Sequence, residues 1–270
     1  MEIVIAKDPA EVGRLAAARV AGIARRVGPS VVLGLATGSS PLALYIELAA
    51  MVRAGTLDLS EATAFALDEY VGLPAGHPES YAEVIRTTVT EPLQLRPSQV
   101  HVPDGWATDL DAAARSYDQA IKDVGGVDVQ ILGMGTNGHI GFNEPASSLT
   151  SRTRVKTLSP RTRADNARFF DGDIGQVPTL SITQGLGTIM DARELVMVAH
   201  GPGKADAVAK IIEGPITAAV PGSIMQVHQR ALVVIDDAAA SKLTQADYYR
   251  YLFTHKPEWQ RLLAENEPAS

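Results

Sequence analysis

The sequence predicts a single α/β domain built on a mostly parallel sheet with helices packed on both of its faces. Three observations carry this expectation. Short apolar runs without alternation recur along the chain, such as VVLGLA at 31–36, and suit strands covered on both sides. Between them, apolar residues recur at three- and four-residue spacing, as on helices with one buried stripe. The two kinds of segment alternate in order, which is how parallel strands are connected.

From the N-terminus, residues 3–6 form the first apolar run. Asp8-Pro9 then supplies a capping acid and a proline at the first helical position. Val12, Leu15, Ala16, Val20, Ile23 and Val27 make the buried stripe of that helix, and Gly28-Pro29 ends it. Residues 31–36 are a strand, Thr37-Gly38-Ser39-Ser40 a loop, and Pro41 opens a helix to about Arg53. A strand at 62–67 runs into a loop, Asp68-Glu69-Tyr70. Helices follow at 79–89 and 109–124, then strands at 127–132 and 195–199. A helix at 204–213, a strand at 231–235 and a C-terminal helical stretch complete the series. No repeat, low-complexity tract or linker interrupts the chain, so one Rossmann-like domain is expected over residues 1–270.

Composition narrows the function. The 24 Lys plus Arg against 31 Asp plus Glu leave a net charge of −7, which disfavours nucleic acid and anionic lipid as partners. The absence of cysteine removes disulfides, thiolate catalysis and Cys-based metal sites. No segment approaches the roughly 18 apolar residues of a membrane span, and MEIVIAKDP is not built like a signal peptide. A cytoplasmic protein is expected.

Ligands of open α/β sheets bind beyond the carboxyl ends of the strands, so the loops there hold the candidates. Thr37-Gly38-Ser39-Ser40 leads into a helix and can hold an anion there, yet lacks the Gly-Lys-Ser/Thr ending of a nucleotide P-loop. Asp68 stands at a strand end beside it, where a catalytic base would sit. LGMGTNGHIGFNEP at 132–145 contains Gly133, Gly135 and Gly138, spaced like a dinucleotide fingerprint. The residues after it discourage a helix, and no acid follows at 150–164 to bind a ribose, so that fingerprint fails its context. The same loop gathers Asn137, His139, Asn143 and Glu144, a plausible set for proton transfer. Lys204, in Gly201-Pro202-Gly203-Lys204, offers a cation at another strand end. Residues 151–170 hold six cations and one acid, which suits an anion site or a lid over one.

VLGLATGSSP, FALDEYVGLP with HPESY, GTNGHIGFNEPASSLTSRTRVKT, TRADNARFF and GPGKADAV resemble, in that order, the blocks of the glucosamine-6-phosphate deaminase family, over about residues 2–240. The resemblance implies conversion of D-glucosamine 6-phosphate and water to D-fructose 6-phosphate and ammonia, in amino-sugar metabolism, without cofactor or metal. Asp68 matches the family's general base, and His139 the residue that helps open the sugar ring. Glu144 and Asn137 match the groups that orient His139. Some members carry Asp where Asn137 stands; Asn can hold the imidazole by a hydrogen bond but cannot stabilise its cation by charge. Thr37, Gly38, Ser39, Arg168 and Lys204 match the phosphate cradle. Ser147, Arg154, Lys156 and Thr157 match residues that, in some hexameric members, bind the activator N-acetylglucosamine 6-phosphate, so a homo-oligomer with such an effector is expected. A lid is expected at about 151–183. The alternatives are a 6-phosphogluconolactonase of the same fold, a galactosamine-6-phosphate deaminase, and a non-enzymatic sugar-phosphate sensor. Lactonases lack the Phe-Asn-Glu-Pro ending, and a sensor would be expected to carry a DNA-binding segment before its first strand.

Overall fold

Strands made of unbroken apolar residues need cover on both faces, and the order in which this chain alternates strand and helix supplies it. The computed structural model describes residues 1–257. In chain order its first half comprises β1 (Glu2–Ala6), α1 (Pro9–Val27), β2 (Val32–Leu35), α2 (Leu42–Arg53), β3 (Thr63–Ala66), β4 (Asp68–Tyr70), α3 (Tyr81–Ile85), β5 (Val100–His101), α4 (Leu110–Asp123) and β6 (Val129–Leu132). The second half comprises β7 (Arg154–Thr157), α5 (Pro160–Asn166), β8 (Leu180–Thr183), α6 (Leu186–Met190), β9 (Glu194–Ala199), α7 (Ala205–Ile212), β10 (Ala231–Asp236) and α8 (Ala246–Thr254).

Among the described residues seven strands form one sheet in the order β1-β10-β9-β6-β2-β3-β5. Every pairing in it is parallel, as the sequence predicts. From β2 the chain steps outward to β3 and β5, then returns to place β6 on the other side of β2. The sheet therefore changes direction between β2 and β6, and a crevice opens beyond their carboxyl ends. The expected helix starts hold as well. The Asp8 side chain accepts the Glu11 N–H at 2.8 Å and Gly28 closes α1 in the left-handed region. No helix among the described residues is long and apolar enough to cross a membrane.

Three expectations need correction. Asp68-Glu69-Tyr70 is not a loop but β4, which leaves the main sheet after Leu67 and pairs antiparallel with β8. The segment 151–183 is not a lid throughout. Its ends are β7 and β8, which with β4 make a second, three-stranded antiparallel sheet. What remains between them is α5 and the chain around Arg168 to Phe170, which does border the cavity described below. The helix expected at 79–89 is a short α3 followed by a wider π turn at Arg86–Thr90. Of the expected single domain, residues 258–270 lie outside the described residues, as does any continuation of the C-terminal helical stretch beyond α8.

Candidate active site

The crevice at the β2–β6 switch holds a cavity of about 410 Å³, into which the loop at 37–40, the start of β4 and the glycine-rich segment all open. Thr37, Gly38 and Ser39 line one end, where β2 gives way to α2. The Tyr45 hydroxyl, reaching back from α2, accepts the Ala36 N–H at 3.1 Å and donates to the Ala36 carbonyl at 3.0 Å, which fixes where the loop begins. Lys204, from the turn after β9, reaches the same cavity and donates to the Met134 carbonyl at 2.6 Å. Arg168 joins it from beyond α5, its guanidinium 4.7 Å from the Phe169 ring centre. Burial, and then the neighbouring Arg168 charge, push the Lys204 ammonium below its ordinary value, with Asp165 opposing. Two cations that repel one another across an open space form a site that an incoming dianion relieves.

Asp68 lies elsewhere in the same cavity, 5% exposed at the start of β4. Burial, reinforced by the adjacent Glu69 charge and opposed by the Phe142 N–H, pushes its carboxyl up to about 8. Gly141 lets the glycine-rich loop close on it. That residue sits at φ +52°, and a Cβ there would stand 3.4 Å from the Asp68 Oδ2 and 2.9 Å from the Thr183 Oγ1. No larger residue fits without moving the Asp68 carboxyl or the Thr183 side chain on β8.

His139 borders the cavity from the loop after β6. Gly135 must be glycine for it to do so, because a Cβ there would fall 2.2 Å from the imidazole. The Nδ1 atom is buried without a hydrogen-bond partner and stands 3.8 Å from the Glu144 Oε2. Burial holds this imidazole below its ordinary value even with Glu144 beside it, so it is neutral at physiological pH. Asn137 acts differently from the expectation. Its Nδ2 donates to the Glu144 Oε2 at 2.9 Å and its Oδ1 accepts the His139 backbone N–H at 3.1 Å, so it braces the loop and the carboxylate rather than the ring. Burial would raise the Glu144 carboxyl, but hydrogen bonds from Thr162, the Ser159 N–H and Asn137, together with His139, hold it below its usual range.

The second group of expected residues is only partly gathered. Arg154 and Lys156 alternate on β7 and so share a face, whereas Thr157 falls by the same alternation on the other. The Arg154 Nη1 donates to the Asn143 Oδ1 at 2.8 Å, tying this strand to the glycine-rich loop. Burial, then the Arg154 charge, lowers the Lys156 ammonium, with Glu144 opposing. Ser147 closes the turn after Glu144, its hydroxyl buried without a partner.

Sequence reasoning missed the aromatic wall of the cavity. Tyr70, Tyr81, Phe142 and Phe170 pack ring on ring there. Asn166 donates to the Tyr70 hydroxyl at 2.9 Å, and the Tyr81 hydroxyl lies 3.5 Å from it. The signal was present in Asp-Glu-Tyr and Pro-Glu-Ser-Tyr, but only the fold shows that the two tyrosines meet.

The model describing glucosamine-6-phosphate isomerases and 6-phosphogluconolactonases matches residues 7–234. The chain belongs to that family. Within it, the glucosamine-6-phosphate deaminase of Streptomyces coelicolor is 56% identical over 96% of this chain and 99% of its own length. That of Rhodococcus opacus is 58% identical over the same shares. A solved structure titled as a monomeric glucosamine-6-phosphate deaminase superposes with a TM-score of 0.85 at 38% identity, covering 90% of this chain and all of its own. The 6-phosphogluconolactonase from Trypanosoma cruzi, at 20% identity and a TM-score of 0.70, shares the fold.

Proposed function

We propose that this family member converts D-glucosamine 6-phosphate and water to D-fructose 6-phosphate and ammonia. The observation that carries the reading is a buried carboxyl, Asp68, in the same cavity as the Lys204–Arg168 cation pair. The relatives named as deaminases, at 56% and 58% identity, support it. The cations, with the Thr37–Ser39 loop, anchor the phosphate, and that remote binding energy orients the reacting end. The neutral His139 imidazole passes a proton from the C1 hydroxyl to the ring oxygen, which opens the pyranose to its aldehyde. Glu144 supports the transient imidazolium, and Asn137 fixes Glu144 in place. Asp68, as carboxylate, takes the proton from C2 and returns it to C1, while one N–H proton of the amine passes to the C1 oxygen, leaving a C1 alcohol and a C2 imine. Water adds to that imine carbon, and ammonia departs with the electron pair of the C–N bond. No redox change occurs, so no electron carrier is required by this sequence of steps.

One assay tests the reading. Ammonia and fructose 6-phosphate should form in equal amounts from glucosamine 6-phosphate, with the galactosamine isomer run in parallel. Hydrolysis of 6-phosphogluconolactone without ammonia release from either amino sugar would overturn it in favour of the lactonase. The regulatory part of the reading is that Arg154 and Lys156 take the phosphate of N-acetylglucosamine 6-phosphate, supported by their shared face and by the Arg154–Asn143 contact.

A further inference from the structure

The basic segment at 151–170 holds six cations and a single acid, and that acid is Asp165. The proposed chemistry does not use it. Asp165 lies near the end of α5, three residues before Arg168, and borders the cavity together with Arg168, Lys204 and Thr136. With cations on every side, an ion pair would be the expected state of its carboxylate. Instead the Oδ2 atom accepts the Thr136 hydroxyl at 2.8 Å. The same hydroxyl oxygen accepts from the Arg161 Nε at 3.2 Å, which leaves its one hydrogen for Asp165. Arg161 and Asp165 are four residues apart on α5 and so rise from one face of it, both meeting Thr136 on the glycine-rich loop.

The two cations of the phosphate end are correspondingly open. Lys204 donates to the Met134 carbonyl, and the Arg168 guanidinium lies over the Phe169 ring. Among the described residues neither makes an ion pair with a carboxylate. Asp165 is nonetheless near enough to be felt there: burial lowers the Lys204 ammonium and the His139 imidazole, and the Asp165 charge opposes that at both. An acid three residues before an arginine in a helical stretch is also within reach of it. A carboxylate released from Thr136 would therefore turn to Arg168 or Lys204 and compete with an incoming anion. We propose that Thr136 is a positioning residue for the phosphate end of this site: its hydroxyl, oriented by Arg161, holds the Asp165 carboxylate away from Arg168 and Lys204 and so keeps both cations open to a phosphate dianion. This rests on the reading of those two cations as a phosphate anchor, but not on the deaminase chemistry.

The test is the binding of inorganic phosphate to the full chain, followed by titration calorimetry at fixed ionic strength. Thr136→Val keeps the shape of the side chain and removes the hydroxyl; it should weaken phosphate binding about two- to fivefold, the scale of one exposed ion pair. Thr136→Ser, which keeps the hydroxyl, should bind as the unmodified protein does. Combining Thr136→Val with Asp165→Ala should restore the affinity, because the competing carboxylate is gone. With glucosamine 6-phosphate the same pattern should appear in KM and not in kcat. Unchanged phosphate affinity in Thr136→Val overturns the proposal. So does a loss that Asp165→Ala fails to restore, which would make Thr136 a brace of the glycine-rich loop. An unmodified protein that binds phosphate no better than Lys204→Ala and Arg168→Ala do removes the anchor itself, and the proposal with it. The expected phosphate pattern without ammonia release would instead overturn the deaminase reading alone.

Discussion

A carboxyl serves as a base near neutral pH only when its surroundings raise its hold on the proton, and the same surroundings make it costly to fold. Asp68 shows both sides of this. With burial and Glu69 raising its carboxyl to about 8 in the folded chain against an ordinary 3.8, the folded state binds the proton that the unfolded state has released. Below pH 4 both states are protonated and Asp68 is neutral in its effect. Between about 4 and 8 the unfolded state gains relative to the folded one, and above 8 the full cost is present. Asp68→Asn keeps the shape and an acceptor for the Phe142 N–H without that cost. Its melting temperature should therefore equal the parent's near pH 4 and exceed it increasingly as pH rises toward 8. Its turnover should fall by at least about two orders of magnitude, as for loss of a general base. Near-parental turnover in a folded Asp68→Asn protein would remove Asp68 from the mechanism. At Asn137 the family resemblance implied a group that orients the imidazole, while its side-chain bonds go to Glu144 and to the His139 backbone.

Elements differ in how far the sequence displays them. The strands β2, β6, β9 and β10 are buried at every residue and mostly apolar because both faces are covered, and that need is written in each run itself. β4, with the sequence Asp-Glu-Tyr, and β7, Arg-Val-Lys-Thr, have no such signature. They are strands because β8 lies between them and pairs with both, a fact of tertiary contact that no local pattern carries. The basic run that suggested a lid is split by the same cause, its first half taken into the sheet and its second half left at the cavity. Lys204 and Arg168 reach the cavity from two elements, the turn after β9 and the chain beyond α5. Lys204→Ala and Arg168→Ala should each raise the KM for the phosphorylated sugar, since a charge-assisted hydrogen bond contributes about 1.5–3 kcal/mol. The Arg168 variant should lose less, because its guanidinium is exposed and solvent screens it. Steady-state kinetics on both variants decide it; unchanged KM in both would place the phosphate elsewhere.

On the scale of the whole molecule, the main sheet brings β2 and β6 together at its switch point, and the small sheet delivers Asp68 to the same crevice from the side. The small sheet is also the route by which a second site would speak to the first. β7 carries Arg154 and Lys156, β4 carries Asp68, and β8 is hydrogen-bonded to both. The Arg154–Asn143 bond adds a direct tie to the loop that holds His139 and Glu144. An anion bound by Arg154 and Lys156 would relieve the repulsion that, after burial, lowers the Lys156 ammonium. It would also draw Arg154 from Asn143 or fix it there, and either outcome changes the setting of the catalytic loop. N-acetylglucosamine 6-phosphate is therefore expected to lower the half-saturating glucosamine 6-phosphate concentration several-fold, within the about 1–3 kcal/mol of typical allosteric coupling. The double variant Arg154→Ala, Lys156→Ala should lose that response while keeping most of its turnover at saturating substrate, because neither side chain borders the cavity. Reciprocity supplies the control: if the effector tightens substrate binding, a non-reacting substrate analogue must tighten effector binding by the same factor. Rate curves that superimpose with and without the effector in the unmodified protein would leave Arg154 as a brace for Asn143 and nothing more.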